Sequence, residues 1–413
     1  MPNINLPRLK ESLMELSRIG FNPDDKGIYR SGFTDADMEA RRWLIDLAKN
    51  DGFSADMDGA GNVWLGYDTG KHEEDSAVVM GSHLDSVPAG GMFDGSLGVM
   101  AGLEVMRTVR DHELNLQHPL KVLGTAEEEG RFGGMFGVQA ITGDLTPEWI
   151  LSAHDADGVY LADEMKKQGL DPMGALDAAW QKDQMKAYLE LHIEQGPVLD
   201  LEKIPLGVVE GISGVFKWIV KLKGKADHAG TAPMHMRSDA FMGLADFAHE
   251  IQRIIDEWGT DMSRITVGKV DLKPGYPHTV PGEVIFTIVG RDMSEDVMKA
   301  LSEACERTLR AISRRHRLHF EYDEVSWLGP NYCAPSMIDL MEIKAKERGW
   351  EYKVMPSGAG HDVQFFTHIT ESGLIFIPSV GGVSHAPDEW SHWHHIEMGT
   401  NLLLDCAIER AST

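Results

Sequence analysis

The chain has 413 residues, 42% hydrophobic and 25% charged, which is the composition of a globular protein long enough for two domains. Its formal net charge of -26 excludes nucleic acid as an expected partner, because phosphate binding relies on clustered lysine and arginine. The three cysteines, Cys305, Cys333 and Cys406, form no CxxC pair, so we expect neither a disulfide framework nor a thiolate zinc site.

The sequence contains no feature of a membrane protein. Its N-terminal stretch has charges throughout, which indicates an amphipathic helix rather than the apolar core of a signal peptide. No apolar run approaches the length of a membrane-spanning helix. We therefore expect a cytoplasmic protein that makes no contact with a membrane.

Over the first 200 residues, short apolar runs alternate with longer segments of helical period, which is typical of a sheet covered by helices. The runs predict strands at SAVVMGSH (76–83), PLKVLGTA (119–126) and KAYLELHI (186–193). After the first run, Val99, Leu103 and Met106 have the spacing of one helix face. Asp94 or Ser96 is the expected N-cap of that helix.

The pattern changes near residue 211. There the sequence predicts a strand in SGVFKWIVKLK, a helix over 239–258, strands RITVGKVDL (264–272) and EVIFTIVGRDM (283–293), a helix over 295–314 and a last strand RLHFEYDEV (317–325). This order is that of a ferredoxin-like α+β domain. We expect it as an insertion over 211–328 that divides the first domain into 1–210 and 329–413, with GLIFIPSVGG (373–382) as a central strand of the latter.

Candidate metal ligands stand at or after the ends of the apolar strands. His83 ends the first run, Glu128 and Glu129 follow the second, His192 lies near the end of the third and His385 follows the fourth. In an open α/β sheet, ligands bind at the carboxyl ends of the strands, so these side chains can converge. Each alone is more often structural, but together they form a nitrogen and oxygen set suited to Zn²⁺, Mn²⁺, Co²⁺ or Ni²⁺.

The stretch HLDSVPAGGMFDG surrounds the first histidine with aspartates and glycines. His83 and Asp85 are two residues apart, so on one strand their side chains share a side and the carboxylate can orient the imidazole. Asp94 follows a loop with Gly90 and Gly91, whose backbone freedom allows tight turns. By itself, Asp94 is better explained as a helix cap.

The stretch GTAEEEGRFGG places three consecutive glutamates after an apolar strand. Like charges in such a place are costly unless cations neutralise them or one carboxyl keeps a raised pKa for proton transfer. A solvated run of charges is the alternative interpretation.

Together these motifs resemble the amidase/hydantoinase/carbamoylase family of the dinuclear zinc aminoacylase and carboxypeptidase superfamily. The resemblance covers nearly the whole chain, through the segments GSHLDSVPAGGMFDGSLGV, AEEEGRF, LHIEQGPVLD, GKADHAGTAPMHMRSDA, VPGEV, SGAGHD and GVSHAPDEW, in family order. It implies a mixed central sheet flanked by helices, as in zinc exopeptidases, with an inserted ferredoxin-like α+β domain that serves as lid and dimerisation domain. Members cleave a C–N bond of a ureido or amide group.

The resemblance also implies two divalent metal ions per subunit, with zinc the first choice. In the family pattern, Asp94 bridges the ions, His83 and His192 hold one, and Glu129 and His385 hold the other. Such a pair of ions can activate a water molecule and polarise the attacked carbonyl group.

The same pattern implies three catalytic roles. Glu128 is the general base and acid, Asp85 orients His83, and His228 of the inserted domain stabilises the oxyanion. One residue that the family usually has between Gly130 and Arg131 is missing here. Counting back from Gly130 gives Glu128 and Glu129 as base and ligand, whereas counting back from Arg131 gives Glu127 and Glu128, and we adopt the first.

Four residues match positions that bind the substrate in the family. Arg291 resembles the arginine that grips the substrate carboxylate in a bidentate fork, and Gln195 and His361 match positions that line the pocket. For Gln195 and His361, hydrogen bonds that anchor loops are an equal alternative. His278 stands where the family usually has an asparagine that touches the same carboxylate, and Val289 replaces a common acidic residue. These two departures concern the choice of substrate.

We therefore expect a homodimeric hydrolase, joined through the inserted domain, that acts on a small N-carbamoyl-L-amino acid or related ureido acid. An aminoacylase or dipeptidase on the same scaffold is the alternative within the enzyme class. A metal-binding module without turnover is the alternative outside it.

Overall fold

A computed structural model of the chain describes residues 2–67 and 76–413. The strands are β1 (Ser54–Met57), β2 (Val63–Tyr67), β3 (Ala77–His83), β4 (Leu120–Thr125), β5 (Met185–Ile193), β6 (Gly207–Ile212), β7 (Gly214–Lys223), β8 (Asp227–His228), β9 (Arg264–Thr266), β10 (Val270–Lys273), β11 (Thr279–Val280), β12 (Glu283–Asp292), β13 (His319–Leu328), β14 (Asn331–Tyr332), β15 (Lys353–Ser357) and β16 (Glu371–Ile377). The helices are α1 (Leu6–Leu16), α2 (Asp35–Asn50), α3 (Ser96–Asp111), α4 (Phe136–Thr142), α5 (Pro147–Ser152), α6 (Leu161–Lys167), α7 (Val198–Glu202), α8 (Ala240–Trp258), α9 (Glu295–His316), α10 (Pro335–Glu347), α11 (Val363–Phe366) and α12 (Trp393–Ala411).

The chain folds as two compact units. The discontinuous unit contains the described residues up to Glu210 together with Tyr332–Thr413, and the inserted unit contains Gly211–Asn331. Among the described residues, no helix is both long enough and apolar enough to cross a membrane.

The discontinuous unit is built around a mixed sheet. Among the described residues this sheet has nine strands, in the order β1-β2-β4-β3-β5-β16-β6-β14, with β15 also paired to β6. The four central strands β4, β3, β5 and β16 are parallel to one another. Their residues are almost all buried, as expected for parallel strands covered on both faces. The predicted central sheet flanked by helices is confirmed.

Alternation along β5 separates the two faces of this sheet. Leu189, Leu191 and Ile193 belong to the main apolar core, which also contains residues of α3, α10 and α12. Tyr188 points to the opposite face, where its ring stacks on Phe366 of α11 at 4.0 Å between centroids. Because side chains alternate along a strand, Glu190 and His192 share that second face with Tyr188. The face opposite α3 and α12 therefore carries the polar residues of this strand.

The inserted unit has a five-stranded antiparallel sheet, ordered β10-β12-β7-β13 with β9 also paired to β12, a small antiparallel pair of β8 and β11, and an apolar core that includes α8 and α9. The longer elements follow the predicted order of strand, helix, two strand regions, helix and strand, and the short strands β8 and β11 were not predicted. One prediction is wrong: RITVGKVDL is not one strand, because β9 and β10 are separate and each pairs with a different part of β12.

Two other boundaries were also wrong. The strand predicted over 373–382 ends at Ile377, and residues 380–382 form a 3₁₀ turn. The N-cap of α3 is Gly95, with φ of 62° and no side-chain cap, so neither Asp94 nor Ser96 caps this helix. The Asp94 carboxylate is therefore available for another role.

Candidate metal centre

The candidate ligands converge at one edge of the central sheet. His83 is the last residue of β3 and lies opposite Thr125 of the parallel strand β4. His192 is the penultimate residue of β5 and lies opposite Phe376 of the parallel strand β16. Since all four strands run in the same direction, their carboxyl ends and the loops that follow them meet at this edge.

Asp94 lies at the middle of the cluster, and its two carboxylate oxygens face different partners. Oδ1 is 3.6 Å from Nε2 of His83 and 3.2 Å from Nε2 of His192. Oδ2 is 3.3 Å from Nε2 of His385, which is itself 3.6 Å from Oε2 of Glu129. The carboxylate thus separates two ligand groups, His83 with His192 on one side and Glu129 with His385 on the other.

The imidazoles of the first group present their Nε2 atoms to the cluster. Nδ1 of His83 is 2.9 Å from the carbonyl oxygen of Asp85, and Nδ1 of His192 is 2.9 Å from that of Ile193. A carbonyl oxygen only accepts, so each Nδ1 carries a proton, and in the neutral imidazole Nε2 keeps the lone pair that a cation would bind. In this structure Nε2 of His192 accepts the backbone N–H of Gly95 at 3.2 Å.

These residues fit a pair of divalent metal ions. The sets His83, Asp94, His192 and Asp94, Glu129, His385 each place one ligand atom per residue within 4.8 Å of the others. Oε1 of Glu129 is buried and accepts no hydrogen bond from any part of the chain that the structure describes, so it has unused capacity for a cation. Imidazole and carboxylate together suit Zn²⁺ and Mn²⁺.

The electrostatics of the cluster also favour cations. Burial raises the pKa of Glu129 to about 7, with a further contribution from Asp94, and burial likewise raises the pKa of Glu128 well above its usual value. Burial opposes ionisation of Asp94 too, but hydrogen bonds from His192, His385 and His83 bring its pKa well below the usual value. Bound cations would stabilise all these carboxylates in their ionised form.

Asp85 contacts His83 differently from the prediction. Strand β3 ends at His83, so the two side chains do not share a strand face, and the nearer carboxylate oxygen of Asp85 is 4.0 Å from Nδ1 of His83. The carboxylate instead accepts the backbone N–H of Glu128 at 3.1 Å and that of Glu129 at 3.2 Å. The carboxylate of Asp85 holds the turn of the glutamates, and its backbone carbonyl holds the histidine.

The three consecutive glutamates have different surroundings. Glu127 is fully buried and accepts the N–H groups of Phe132 and Gly134 at 2.5 and 3.2 Å, inside its own turn. Oε2 of Glu128 lies 3.9 Å from Nε2 of His83, and Glu129 contacts His385 as described above. This geometry favours the register in which Glu128 is the base and Glu129 the ligand.

Two residues predicted to bind substrate lie beside the ligands. Nε2 of Gln195 is 3.2 and 3.3 Å from the two carboxylate oxygens of Asp94. The buried ring of His361 lies 4.6 Å from that of His192, and its Nε2 contacts the hydroxyl of Ser357 at 2.9 Å. Burial and the adjacent His192 lower the pKa of His361 well below its usual value, so its imidazole is neutral.

His228 lies in the inserted unit with one defined tautomer. Its Nδ1 accepts the backbone N–H groups of Gly230 at 3.0 Å and Thr231 at 3.2 Å. Because Nδ1 accepts two hydrogen bonds, the proton of the imidazole is on Nε2, and the ring is exposed. The residue therefore offers an N–H donor to a ligand.

His278 and Arg291 belong to the same unit. The side chain of His278 is exposed, and its carbonyl oxygen accepts the N–H of Ala229, which places it beside the His228 loop. Arg291 lies on β12 and is partly buried, and its guanidinium forms no hydrogen bond or ion pair with the described residues. Burial lowers its pKa. A cation in this state is suited to binding an anion.

Sequence analysis did not identify Glu389, whose carboxylate lies beside the candidate ligands. This carboxylate is 3% exposed and accepts the N–H groups of Phe93 and Asp94, both at 3.2 Å. Its only signal in the sequence is its position four residues after His385, which by itself carries no ligand chemistry.

Comparisons with known proteins agree with the geometry. The family described as peptidase family M20/M25/M40 matches residues 79–409. The chain is 36% identical over 399 residues to an N-carbamoyl-L-amino-acid amidohydrolase of Paenarthrobacter aurescens, covering 96% of each chain, and 30% identical over 389 residues to an allantoate amidohydrolase of Bacillus subtilis, covering 94% and 93%. Its fold matches an amidase of the hydantoinase/carbamoylase family from Burkholderia multivorans with a TM-score of 0.92 and 32% identity, over 100% of this chain and 99% of that one.

Proposed function

We propose a function that starts from family membership: the chain belongs to peptidase family M20/M25/M40. Within that family it is a metal-dependent amidohydrolase that cleaves the C–N bond of an N-carbamoyl-L-amino acid, or a related N-acyl acid, as the names of its relatives indicate. The observation that carries the proposal is the bridging position of Asp94 between two ligand groups, with a further buried carboxyl, Glu128, beside them.

Five residues would hold the two ions: His83 and His192 one, Glu129 and His385 the other, and Asp94 both. When bound, the ions polarise the carbonyl of the ureido group and lower the pKa of the attacking water. Zinc is the proposed metal, since a cluster of imidazoles and carboxylates without sulfur accepts it readily, and the same set also accepts manganese.

Glu128 is proposed as the group that moves protons. It is close to His83, no hydrogen bond to its carboxylate is seen among the described residues, and burial keeps its pKa raised. As general base it takes the proton of the attacking water, and as general acid it delivers that proton to the leaving nitrogen. With an N-carbamoyl substrate, one water gives the free amine, carbon dioxide and ammonia.

Two residues of the inserted unit are proposed to act on the substrate. The Nε2–H of His228 donates to the oxygen of the attacked carbonyl as its negative charge develops, a role that its fixed tautomer suits. Arg291 binds the substrate carboxylate through its planar guanidinium, which has no hydrogen-bond or ion-pair partner within residues 2–67 and 76–413. Gln195, His361 and His278 complete the proposed substrate contacts.

The amidase activity is favoured over both alternatives. An aminoacylase or dipeptidase would share the metal ligands, but the relatives named above act on carbamoyl and ureido compounds by name. A metal-binding module without turnover would not need Glu128, which is present and lies beside His83.

Location and assembly are proposed on separate grounds. The three cysteines are free and buried, which suits the cytoplasm.

A homodimer through the inserted unit is supported by apolar side chains that this unit exposes, among them Met234 at 71% and Tyr276 at 70%.

The test is a substrate panel on protein of known metal content. N-carbamoyl-L-amino acids, allantoate, N-acetyl amino acids and dipeptides are compared by release of ammonia and of the free amine. Fastest turnover of a ureido compound supports the proposal. Faster turnover of dipeptides or N-acetyl amino acids would instead support the aminoacylase or dipeptidase alternative. If metal-loaded protein is inactive on all four classes of compound, the result would support the metal-binding module without turnover.

A further inference from the structure

We propose that Glu389 is a positioning residue that fixes Asp94 and His385 relative to each other. Oε1 of Glu389 accepts the N–H groups of Phe93 and Asp94, both at 3.2 Å. Its other oxygen, Oε2, accepts the hydroxyl of Ser384 at 2.9 Å. One buried side chain thus joins the loop of the bridging carboxylate to the loop of His385, which lie almost three hundred residues apart in sequence.

The His385 side of this connection has an unusual backbone. His385 has a φ of 54°, in the left-handed region that residues other than glycine seldom adopt. Such a conformation persists only where surrounding contacts determine it. Two such contacts involve Glu389: the hydroxyl of Ser384 donates a hydrogen bond to its Oε2, and its backbone N–H donates to the carbonyl oxygen of Ala386 at 3.1 Å. Glu389 therefore closes the turn that presents the imidazole.

The Asp94 side of the connection is built for a carboxylate. Gly91 packs so closely on Glu389 that a Cβ at that position would lie 2.2 Å from Oε1. The glycine therefore leaves room for the carboxylate to reach the two N–H groups. The carboxylate of Glu389 is 3% exposed and accepts three hydrogen bonds, so its hydrogen-bonding capacity is used within the protein.

Loss of the Glu389 carboxylate should affect the binding of the two ions differently. This part of the inference rests on the proposed dinuclear centre. His83 and His192 lie on strands and are oriented by the carbonyl oxygens of Asp85 and Ile193. The second ion depends on His385, whose turn Glu389 closes, and on Oδ2 of Asp94. Loss of the Glu389 carboxylate should therefore weaken the second ion selectively.

The test is a metal titration of the whole protein after removal of its metal by a chelator, with Zn²⁺ or Mn²⁺ as the probe. We expect wild type to bind two ions in two steps, and Glu389→Ala to raise the Kd of only one step, by about 10- to 100-fold, with little change in the other. Glu389→Gln should restore that step, because its oxygen accepts both N–H groups and its NH₂ can donate to Ser384.

The matched control is Glu104→Ala, which removes another buried carboxylate that accepts a backbone N–H, from Asn5 at 3.0 Å, on helix α3. It should lower thermal stability without changing either Kd. The proposal is overturned if Glu389→Ala binds both ions as wild type does, if both steps weaken equally, or if Gln loses the second ion as Ala does. The readout needs no substrate, so two-ion binding without hydrolysis of ureido compounds would remove the proposed activity and leave this inference standing.

Discussion

Asp85 holds the His83 imidazole with its backbone and not with its side chain: its carbonyl oxygen lies 2.9 Å from Nδ1 of His83, and its nearer carboxylate oxygen 4.0 Å. The carboxylate is thereby free to accept the N–H groups of Glu128 and Glu129. Asp85 thus orients two proposed metal ligands, His83 and Glu129, and the proposed base Glu128, by two different groups.

Replacing Asp85 with asparagine should separate these functions. The amide keeps one acceptor but presents an NH₂ to the second backbone N–H, so the glutamate turn loses a hydrogen bond, while the carbonyl on His83 remains. We expect turnover to fall by about 10- to 100-fold, with the ion on His83 and His192 retained. Metal analysis and steady-state kinetics on the same sample measure both.

Asp58→Asn is the control for this variant, because Asp58 also accepts two backbone N–H groups, those of Ala60 and Asn62, at 2.9 and 3.0 Å. Its turnover should stay close to wild type. If Asp85→Asn instead loses the ion on His83 and His192, the Asp85 side chain, and not only its carbonyl group, is needed to orient His83.

The sequence predicted the convergence of the ligands because the rule that governs it concerns strand ends. Apolar runs located β3, β4 and β5 to within a residue or two, and parallel strands bring their ends together. The predicted run also ended at His83, but Asp85 was still placed on the same strand. The sequence could not show how the chain turns after His83, which decides whether Asp85 contacts the imidazole by side chain or by carbonyl. A change of one residue at a strand end reverses the side-chain direction.

Glu389 was beyond sequence analysis for a different reason. Its partners are backbone N–H groups of Phe93 and Asp94, and a backbone group leaves no pattern of residue types to recognise. The helix cap at Asp94 was mispredicted because short polar residues before a helix favour capping on average, whereas here the imidazoles of His83, His192 and His385 surround that carboxylate.

Glu128→Gln should keep the metal and lose the chemistry. Glutamine has nearly the same shape but cannot take a proton from water, so we expect kcat to fall by about 10²- to 10⁴-fold with unchanged metal content. Glu127→Gln is the comparison, since Glu127 bonds only within its own turn. Its kcat should fall much less. If kcat falls more in Glu127→Gln than in Glu128→Gln, Glu127 would be identified as the base instead.

Replacing His228 with alanine removes the proposed N–H donor to the oxyanion. We expect kcat to fall by about 10²- to 10³-fold, the effect of losing one such donor, without loss of metal. His235→Ala is the control, because His235 is exposed within the same loop. Loss of metal from the His228 variant would identify it as a ligand instead.

Arg291→Lys should act mainly on substrate binding. Lysine keeps the charge but cannot donate in a planar fork, so we expect KM to rise by about tenfold or more, with a smaller change in kcat. Arg264, the cross-strand neighbour of Arg291, is exposed and bonds to nearby carbonyls, so Arg264→Lys is the matched control. An unchanged KM in the first variant would refute the role in substrate binding.

Removal of the metal should destabilise the discontinuous unit. Without cations, the acids around Asp94 are buried beside one another and burial opposes their ionisation, whereas ions that bind only the folded state add about 2.7 kcal/mol per site at a free concentration of 100 times Kd. The midpoint of thermal unfolding, followed at a series of buffered metal concentrations, should rise with free metal in wild type.

His118→Ala, which replaces a buried histidine that contacts Ser76, should lower the midpoint and keep its metal dependence. His192→Ala should lose most of that dependence. A midpoint that does not change with metal in the wild type would show that the cluster is stable without cations, and the proposed centre would then have to be abandoned.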